Sequence, residues 1–172
     1  MIFDLRLAHA EFQMLKRIQT KSIRASGGSF AIVASRYNPR YVDAMVRAAV
    51  AELKRAKARG IRVVRVPGAY EIPLAAASLA KNTTPPLSAI ICLGVILRGE
   101  TVHAAHIGEA VSRALMQIQL ECGVPVVHEV LLLENEQQAR VRCLSRRHNR
   151  GTEAAQTALA MAEMMIKLRR RG

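Results

Sequence analysis

The segment RGETVH, residues 98–103, follows an apolar run and places a cation, a glycine, a hydroxyl and an imidazole within six positions. If a helix begins here, its unpaired N–H groups and partial positive charge form an anion site. Gly99 lets a ligand approach the backbone closely, and Thr101 can cap the helix or contact a phosphate oxygen. An ordinary turn and helix cap would explain these two residues equally well. His103 adds an imidazole in the first helical turn, which is suited to proton transfer near neutral pH.

Further polar residues follow other apolar runs of the chain. Tyr37 and Asn38 come directly after residues 30–35, and Glu71 follows a Pro-Gly turn after residues 61–66. Tyr37 could stack on a planar ligand or cover the edge of a sheet, and Glu71 could serve only as the partner of a helix dipole. In a parallel sheet, however, these residues would meet at the carboxyl ends of the strands, where ligands bind. The sequence therefore predicts a composite pocket at that edge.

A strongly cationic segment, ARVRCLSRRHNRG, occupies residues 139–151. Arg142 and Arg150 within it are candidates for binding an anion. An exposed and solvated helix face is a sufficient explanation for three other arginines of the segment, Arg140, Arg146 and Arg147.

Short apolar runs alternate with amphipathic stretches from Phe30 to the end of the chain. This alternation predicts right-handed crossovers and a four-stranded parallel sheet covered by helices on both faces, which is a three-layer α/β/α sandwich. The predicted strands are 30–35, 61–66, 87–97 and 124–132, and the predicted helices are 39–58, 71–81, 102–121, about 134–146 and 151–169. The residues expected on the inner side of the first helix are Ala44, Val46, Ala49, Val50 and Leu53.

The composition is that of one domain with an aliphatic core. The chain has 172 residues, of which 51% are hydrophobic and 3% aromatic, and three separated cysteines that form no CxxC pair. Structural zinc and a disulfide framework are therefore not expected, and a reducing cytoplasm fits best. No secretory signal and no run of roughly 18 apolar residues is evident, so a membrane span is not expected. Residues 1–28 differ in character and are interpreted as a flexible N-terminal extension, which leaves a single domain at 29–172.

The formal net charge of +13 raises the possibility of nucleic-acid binding. The basic residues are spread over the whole chain, and no aromatic residues alternate with them in the way that stacks bases. A solvated surface with a few anion-binding positions is the favoured interpretation. A basic scaffold that binds nucleic acid stays as an alternative function.

Six segments together resemble the lumazine synthase family in their order and spacing. Two of them are long and specific, VPGAYEIPLAA at 66–76 and LGVILRGETVH at 93–103. The resemblance covers about residues 29–168. The other four segments are RYN at 36–38, VPVV at 124–127, QQAxxR at 137–142 and HNRGxEAA at 148–155.

The resemblance implies a flavodoxin-like fold and a transferase reaction in riboflavin biosynthesis. In this reaction 5-amino-6-(D-ribitylamino)uracil condenses with 3,4-dihydroxy-2-butanone 4-phosphate, and 6,7-dimethyl-8-ribityllumazine and phosphate are released. It implies no metal and no organic cofactor. His103 would be the acid/base, and the turn at Gly99, Glu100 and Thr101 would bind the phosphate together with Arg142. The substrate-binding positions would be Tyr37, Asn38, Ala69, Tyr70, Glu71, Val95, Ile96, Leu97, His128 and Arg150.

The chain departs from the usual family pattern at several positions. His128 stands where a phenylalanine from the neighbouring subunit usually covers the bound ring, and Glu129 follows it where glycine is usual. Arg150 stands where lysine is frequent, and Ala104-Ala105-His106 replace the usual aromatic and acidic residues. These changes are interpreted as variation within a working enzyme. A paralogue that binds flavin-like ligands without turnover is the closer alternative.

A site shared between subunits implies a homo-oligomer. The family forms pentamers, and some members assemble further into icosahedral shells. The turn between Arg142 and Gly151 carries no extra residues of the kind that pentamer-only members often have, which favours the shell. Riboflavin synthase is then a candidate for an enclosed partner.

Overall fold

The computed structural model describes residues 28–170, in which the four apolar runs form strands and the amphipathic stretches form helices. Each predicted strand is present, with its ends within two residues of the predicted ends. The strands are β1 (Ser29–Ser35), β2 (Gly60–Val66), β3 (Ala89–Leu97) and β4 (Val126–Leu133). The helices are α1 (Pro39–Arg55), α2 (Ile72–Asn82), α3 (His103–Cys122), α4 (Glu136–Ala139) and α5 (Arg150–Arg169).

The sheet has the strand order β2-β1-β3-β4, and every neighbouring pair is parallel. The chain moves outward from β1 to β2 and then crosses back to β3 on the other side of β1. The strand order therefore reverses between β1 and β3, and in open α/β sheets ligands bind above such a switch point. The predicted α/β fold with a four-stranded parallel sheet is confirmed.

Helices cover both faces of this sheet, as the alternation of elements predicts. Helices α1 and α5 pack on one face, where Ile32 and Ile91 lie fully buried. Helices α2 and α3 pack on the opposite face, against Val33 and Cys92. Because successive side chains of a strand point to opposite faces, each central strand contributes to both cores. The result is the predicted three-layer sandwich.

The inner face of α1 is broader than the predicted one. Ala49 and Leu53 are buried as expected, Val46 and Val50 are half-buried and pack against the same core, and Ala44 is half-buried. Tyr41, Val42 and Met45 are buried as well. The reason is that α1 packs closely against the start of α5, where a Cβ added to Gly151 would lie 2.0 Å from the carbonyl oxygen of Met45. This contact between distant parts of the chain adds Met45 to the buried face.

Two of the predicted helices end earlier in the structure than the sequence pattern predicts. Helix α1 ends at Arg55 rather than at residue 58, because Lys57 takes a left-handed conformation with a φ of 60° and the N–H of Ala58 bonds the carbonyl of Leu53. The predicted helix at 134–146 is a short α4 that continues as a π-helical turn over Arg140–Leu144. The side-chain amide of Asn149 donates to the carbonyl of Cys143 at the end of that turn, which stops the helix there.

The predicted N-terminal extension, residues 1–28, lies outside the described residues except for Gly28. Within residues 28–170, no helix combines the length and the apolar character that crossing a membrane requires. The described part of the chain is therefore the sheet, its five helices and their connections.

Candidate active site

A cleft of about 750 Å³ opens at the carboxyl ends of β1, β2 and β3. It lies above the switch point between β1 and β3 and is closed on one side by the first turns of α3. Most of the residues predicted to bind a substrate line it. They are Tyr37 and Asn38 after β1, Ala69, Tyr70 and Glu71 after β2, Val95, Ile96 and Leu97 at the end of β3, and His103 at the start of α3.

Asn38 connects the loop after β1 to the floor of the cleft. Its backbone has a φ of 53°, a left-handed conformation that asparagine tolerates better than most residues, and Pro39 then begins α1. Its side-chain amide donates to the carbonyl oxygen of Val95 at 2.8 Å. This bond sets the height of Tyr37 above the end of β3.

The turn after β2 is built around Gly68. Its N–H donates to the carboxylate of Glu71 at 2.7 Å, which fixes that side chain at the wall of the cleft. A Cβ at Gly68 would lie 2.8 Å from the same carboxylate oxygen and 3.5 Å from the ring of Tyr37. A side chain at this position would therefore displace the Glu71 carboxylate, while the Tyr37 ring would stay at ordinary contact distance. The sequence prediction did not single out Gly68, although the Pro-Gly pair was a signal for it.

Helix α3 begins at His103, so the imidazole occupies the first helical turn as predicted. The N–H of His103 lies 3.4 Å from the hydroxyl of Thr101, a long contact, and no side chain caps the helix. Gly99 is open, because an added Cβ would meet no atom within 4 Å and its φ is not left-handed. Neither its own backbone nor a neighbouring atom among residues 28–170 requires glycine there.

His106 also lines the cleft and was not predicted as a site residue. It lies one helical turn after His103, and residues three positions apart share one face of a helix. That spacing was the signal that could have identified it. Two histidines of α3 therefore line the cleft.

The two tyrosines of the cleft are unusually exposed for large aromatic side chains. Tyr37 is 71% exposed and Tyr70 is 64% exposed. Exposed aromatic rings at the mouth of a concave site are available to pack against a planar ligand. This part of the chain leaves apolar and aromatic surface uncovered rather than burying it within its own core.

The remaining predicted site residues do not line this cleft. Gly99, Glu100 and Thr101 form the exposed turn before α3. His128, Arg142 and Arg150 belong to β4, the π-helical turn and the start of α5. One chain therefore brings together only part of the predicted set.

Arg150 and Glu129 form a paired, mostly buried charge cluster at the start of α5. The Arg150 Nε and Nη2 atoms each lie 2.9 Å from a carboxylate oxygen of Glu129, so the pair is bidentate. Glu153 accepts a third bond from Nη1 at 2.7 Å. Burial raises the pKa of Glu129, and Arg150 and the more distant Arg142 lower it in part. Desolvation also raises the pKa of the neighbouring Cys143 thiol to about 11.

His128 points to the opposite face of β4 from Glu129. Its Nδ1 atom accepts from the N–H of Val130 at 3.4 Å, and its Nε2 atom lies 2.8 Å from the hydroxyl of Ser112. That hydroxyl donates to the carbonyl of Gly108, so it accepts from Nε2–H. These contacts hold the imidazole against α3, and burial lowers the pKa of His128.

Metal-ligating residue types are scattered in the part of the chain that the structure describes. Residues 28–170 contain no group of three or more His, Cys, Asp or Glu side chains arranged to hold a metal ion. The chemistry of the cleft is that of imidazole, carboxylate, phenol and backbone groups. Such a site can bind a planar polar ligand and transfer protons.

Comparison with known proteins identifies the family. The sequence model described as 6,7-dimethyl-8-ribityllumazine synthase matches residues 27–166. A protein of that name from Xylella fastidiosa (strain 9a5c) is 38% identical over 148 residues, which are 85% of this chain and 95% of that protein. One from Xanthomonas campestris pv. campestris (strain B100) is 39% identical over 145 residues, which are 83% of this chain and 93% of that protein.

The match spans the whole sheet, the cleft and the charge cluster, and both relatives are covered almost from end to end. The chain therefore belongs to the 6,7-dimethyl-8-ribityllumazine synthase family, the transferases that form this lumazine in riboflavin biosynthesis.

Proposed function

We propose that the cleft is the half-site that receives 5-amino-6-(D-ribitylamino)uracil in the family reaction. One observation carries this assignment: the cleft combines an exposed aromatic ring, Tyr37, with polar groups of Glu71 and the end of β3 above the switch point. A pyrimidine ring packs on the tyrosine, and backbone groups of Val95, Ile96 and Leu97 contact its polar edge. Ala69, Tyr70 and Glu71 hold the ribityl chain.

The phosphate of the second substrate binds at the turn before α3. Gly99 permits close approach of the phosphate to the backbone, and Glu100 and Thr101 offer N–H groups near the positive end of the helix dipole. The open surface at Gly99 supports this assignment, since the chain itself gives no reason for glycine there. Arg142 supplies the cation from a neighbouring copy of the chain.

The reaction requires proton transfers at several steps. The amine of one substrate attacks the ketone of the other to form an imine and releases water, phosphate is then eliminated, and the second nitrogen attacks the remaining carbonyl and closes the ring with loss of a second water. His103 transfers the protons, because its imidazole lines the cleft beside the proposed phosphate site. General acid–base catalysis of this kind contributes roughly 10²- to 10⁴-fold. Holding the two substrates in register and stabilising the leaving phosphate supply the remainder.

The site is completed by a second subunit. His128 and Arg142 do not line the cleft of their own chain and contribute instead to that of a neighbour, whereas Arg150 stays paired with Glu129. A closed ring of five subunits satisfies this arrangement, and an icosahedral shell with riboflavin synthase inside is its extension. The three free cysteines, two of them buried, fit a cytoplasmic protein.

Intersubunit complementation tests the reaction and the shared site together. The purified assembly is mixed with both substrates, and lumazine is followed by absorbance and fluorescence. We expect product only with both substrates, and a loss of roughly 10²-fold or more in His103→Ala. Arg142→Ala should mainly raise the KM for the phosphate substrate.

Coexpression of the His103→Ala and Arg142→Ala chains is the decisive arm. Random mixing should restore about a quarter of the sites, because each mixed site can take His103 from one subunit and Arg142 from the next. No recovery from a confirmed mixed assembly would contradict the shared site. An inactive but folded wild-type assembly would contradict the proposed function itself.

A further inference from the structure

Arg150 is held by two carboxylates of its own chain. Glu129 accepts hydrogen bonds from the Nε and Nη2 atoms of Arg150, both at 2.9 Å, and Glu153 accepts one from Nη1 at 2.7 Å. A guanidinium has five N–H groups in a fixed plane, and this arrangement uses three of them. The other two N–H groups do not bond these carboxylates. The orientation of Arg150 is therefore determined inside the subunit.

The charge of Arg150 is also compensated inside the subunit. Two carboxylates face one guanidinium, and the Glu129 side chain is only 9% exposed. Breaking a buried pair by removing one partner is costly, so Arg150 does not leave Glu129 readily to bind another anion. A substrate phosphate would compete with a bidentate carboxylate that is already in place.

Arg142 lies near this cluster but is differently placed. Its charge acts on both Glu129 and Cys143. Within residues 28–170, no hydrogen bond or ion pair at contact distance engages its guanidinium. Arg142 lies in the π-helical turn, beside the cluster but not bonded to it.

We propose that Glu129 is a positioning residue, which binds Arg150 and thereby leaves Arg142 as the guanidinium available to the phosphate of the substrate. This inference rests on the proposed function for the identity of the phosphate. Glu129 reaches Arg150 because it lies on the face of β4 that packs towards α5, while His128 faces α3. The carboxylate therefore decides which of two neighbouring arginines the ligand meets.

The inference predicts that Glu129 suppresses phosphate binding by Arg150. Inorganic phosphate is titrated into the purified assembly by calorimetry, and the KM for the phosphate substrate is measured in parallel. Arg142→Ala should weaken phosphate binding about tenfold, the loss expected for one charge-assisted contact. Adding Glu129→Gln to Arg142→Ala frees Arg150 and should restore about fivefold of that affinity. No restoration would overturn the inference.

Glu153→Gln is the matched control, since it removes the same charge from the same arginine but leaves the bidentate pair intact. In the Arg142→Ala background it should change phosphate affinity by no more than about twofold. Equal restoration by Glu153→Gln and Glu129→Gln would show that only net charge matters, and would overturn the positioning role.

A second variant guards against misfolding of Glu129→Gln. Glu129→Gln combined with Arg150→Gln removes both charges of the buried bidentate pair and lets the two amide side chains bond each other, so that only the partly exposed Glu153 loses its ionic partner. With Arg142 present, its phosphate affinity should stay within about twofold of wild type. A larger loss would show that Arg150 itself binds the anion. The titrations read out this inference even in a protein that makes no product, which would count against the proposed function alone.

Discussion

The cleft and the Glu129–Arg150 cluster differ in how far the chain satisfies its own side chains. In the cleft, Tyr37 and Tyr70 are 71% and 64% exposed. In the cluster, the whole Glu129 residue is 7% exposed, and both of its carboxylate oxygens accept hydrogen bonds. The cleft leaves its aromatic side chains exposed, whereas the cluster pairs its charged side chains with one another inside the subunit.

The same difference distinguishes the two arginines near the cluster. By residue type alone, Arg142 and Arg150 are equivalent cations. Their neighbours make them different, because the Glu129 carboxylate holds Arg150 through two hydrogen bonds. In the proposed site, the exposed ring of Tyr37 and the unengaged guanidinium of Arg142 are the groups that contact a ligand, whereas the Glu129–Arg150 pair holds its own arginine in place.

The largest effect on the free energy of unfolding is expected from Gly151→Ala. Gly151 follows Arg150 at the start of α5, so this substitution would disturb the packing that carries the charge cluster. The added Cβ would lie 2.0 Å from the Met45 carbonyl oxygen, and backbone cannot yield as a flexible side chain does. The overlap should cost about 3 kcal/mol, more than the roughly 1 kcal/mol that alanine gains in a helix. Denaturant unfolding at fixed protein concentration measures this change.

Gly99→Ala is the matched substitution on the cleft side. Its Cβ would meet no atom within 4 Å, so the free energy of unfolding should change by less than about 0.5 kcal/mol. Equal destabilisation by the two variants would contradict the packing derived for Gly151.

A smaller effect is expected at Asn38, which joins Tyr37 to the cleft floor. Asn38→Gly keeps the left-handed backbone and loses only the bond to Val95, so it should cost about 1 kcal/mol. Asn38→Ala also places a less tolerant residue at a φ of 53° and should cost about 1 kcal/mol more. Both should raise the KM for ribitylaminouracil. Identical unfolding midpoints for the two variants would show that the backbone conformation contributes nothing.

The smallest effect concerns pH and His128. Burial lowers the pKa of His128 below the ordinary 6.5, so the unfolded chain takes up the proton first as the pH falls. The wild type should therefore lose stability below about pH 6.5 relative to His128→Gln, with no such difference developing above it. Unfolding midpoints between pH 5 and 8 test this, with the exposed His148→Gln as control. A difference that grows towards alkaline pH would contradict the sign.

The sequence predicts the strands and most of the cleft, for a physical reason. Strand ends in a parallel sheet must converge, so Tyr37, Glu71 and His103 were expected together, and the cleft brings them together. Local patterns are enough for this. The family comparison supports the reaction, and nothing in residues 28–170 favours flavin binding without turnover or a nucleic-acid scaffold.

The features that the sequence did not predict depend on contacts between distant segments. The close cover over Met45 of α1 depends on Gly151, more than a hundred positions away, and the end of the helix after β4 depends on Asn149. Glu129 and Arg150 were each noted as departures from the family pattern. Their direct pairing required the packing of α5 on β4.

The strand order has a consequence for the order of folding. The two central strands, β1 and β3, pair Phe30 with Ala89, so α1, β2 and α2 all lie between them in the chain. Pairing across such a separation requires a long loop to close, which slows folding. The first half of the chain can form α1 and β2 locally, but the floor of the cleft exists only after β3 inserts beside β1. We therefore expect the binding site to be among the last parts of the subunit to form.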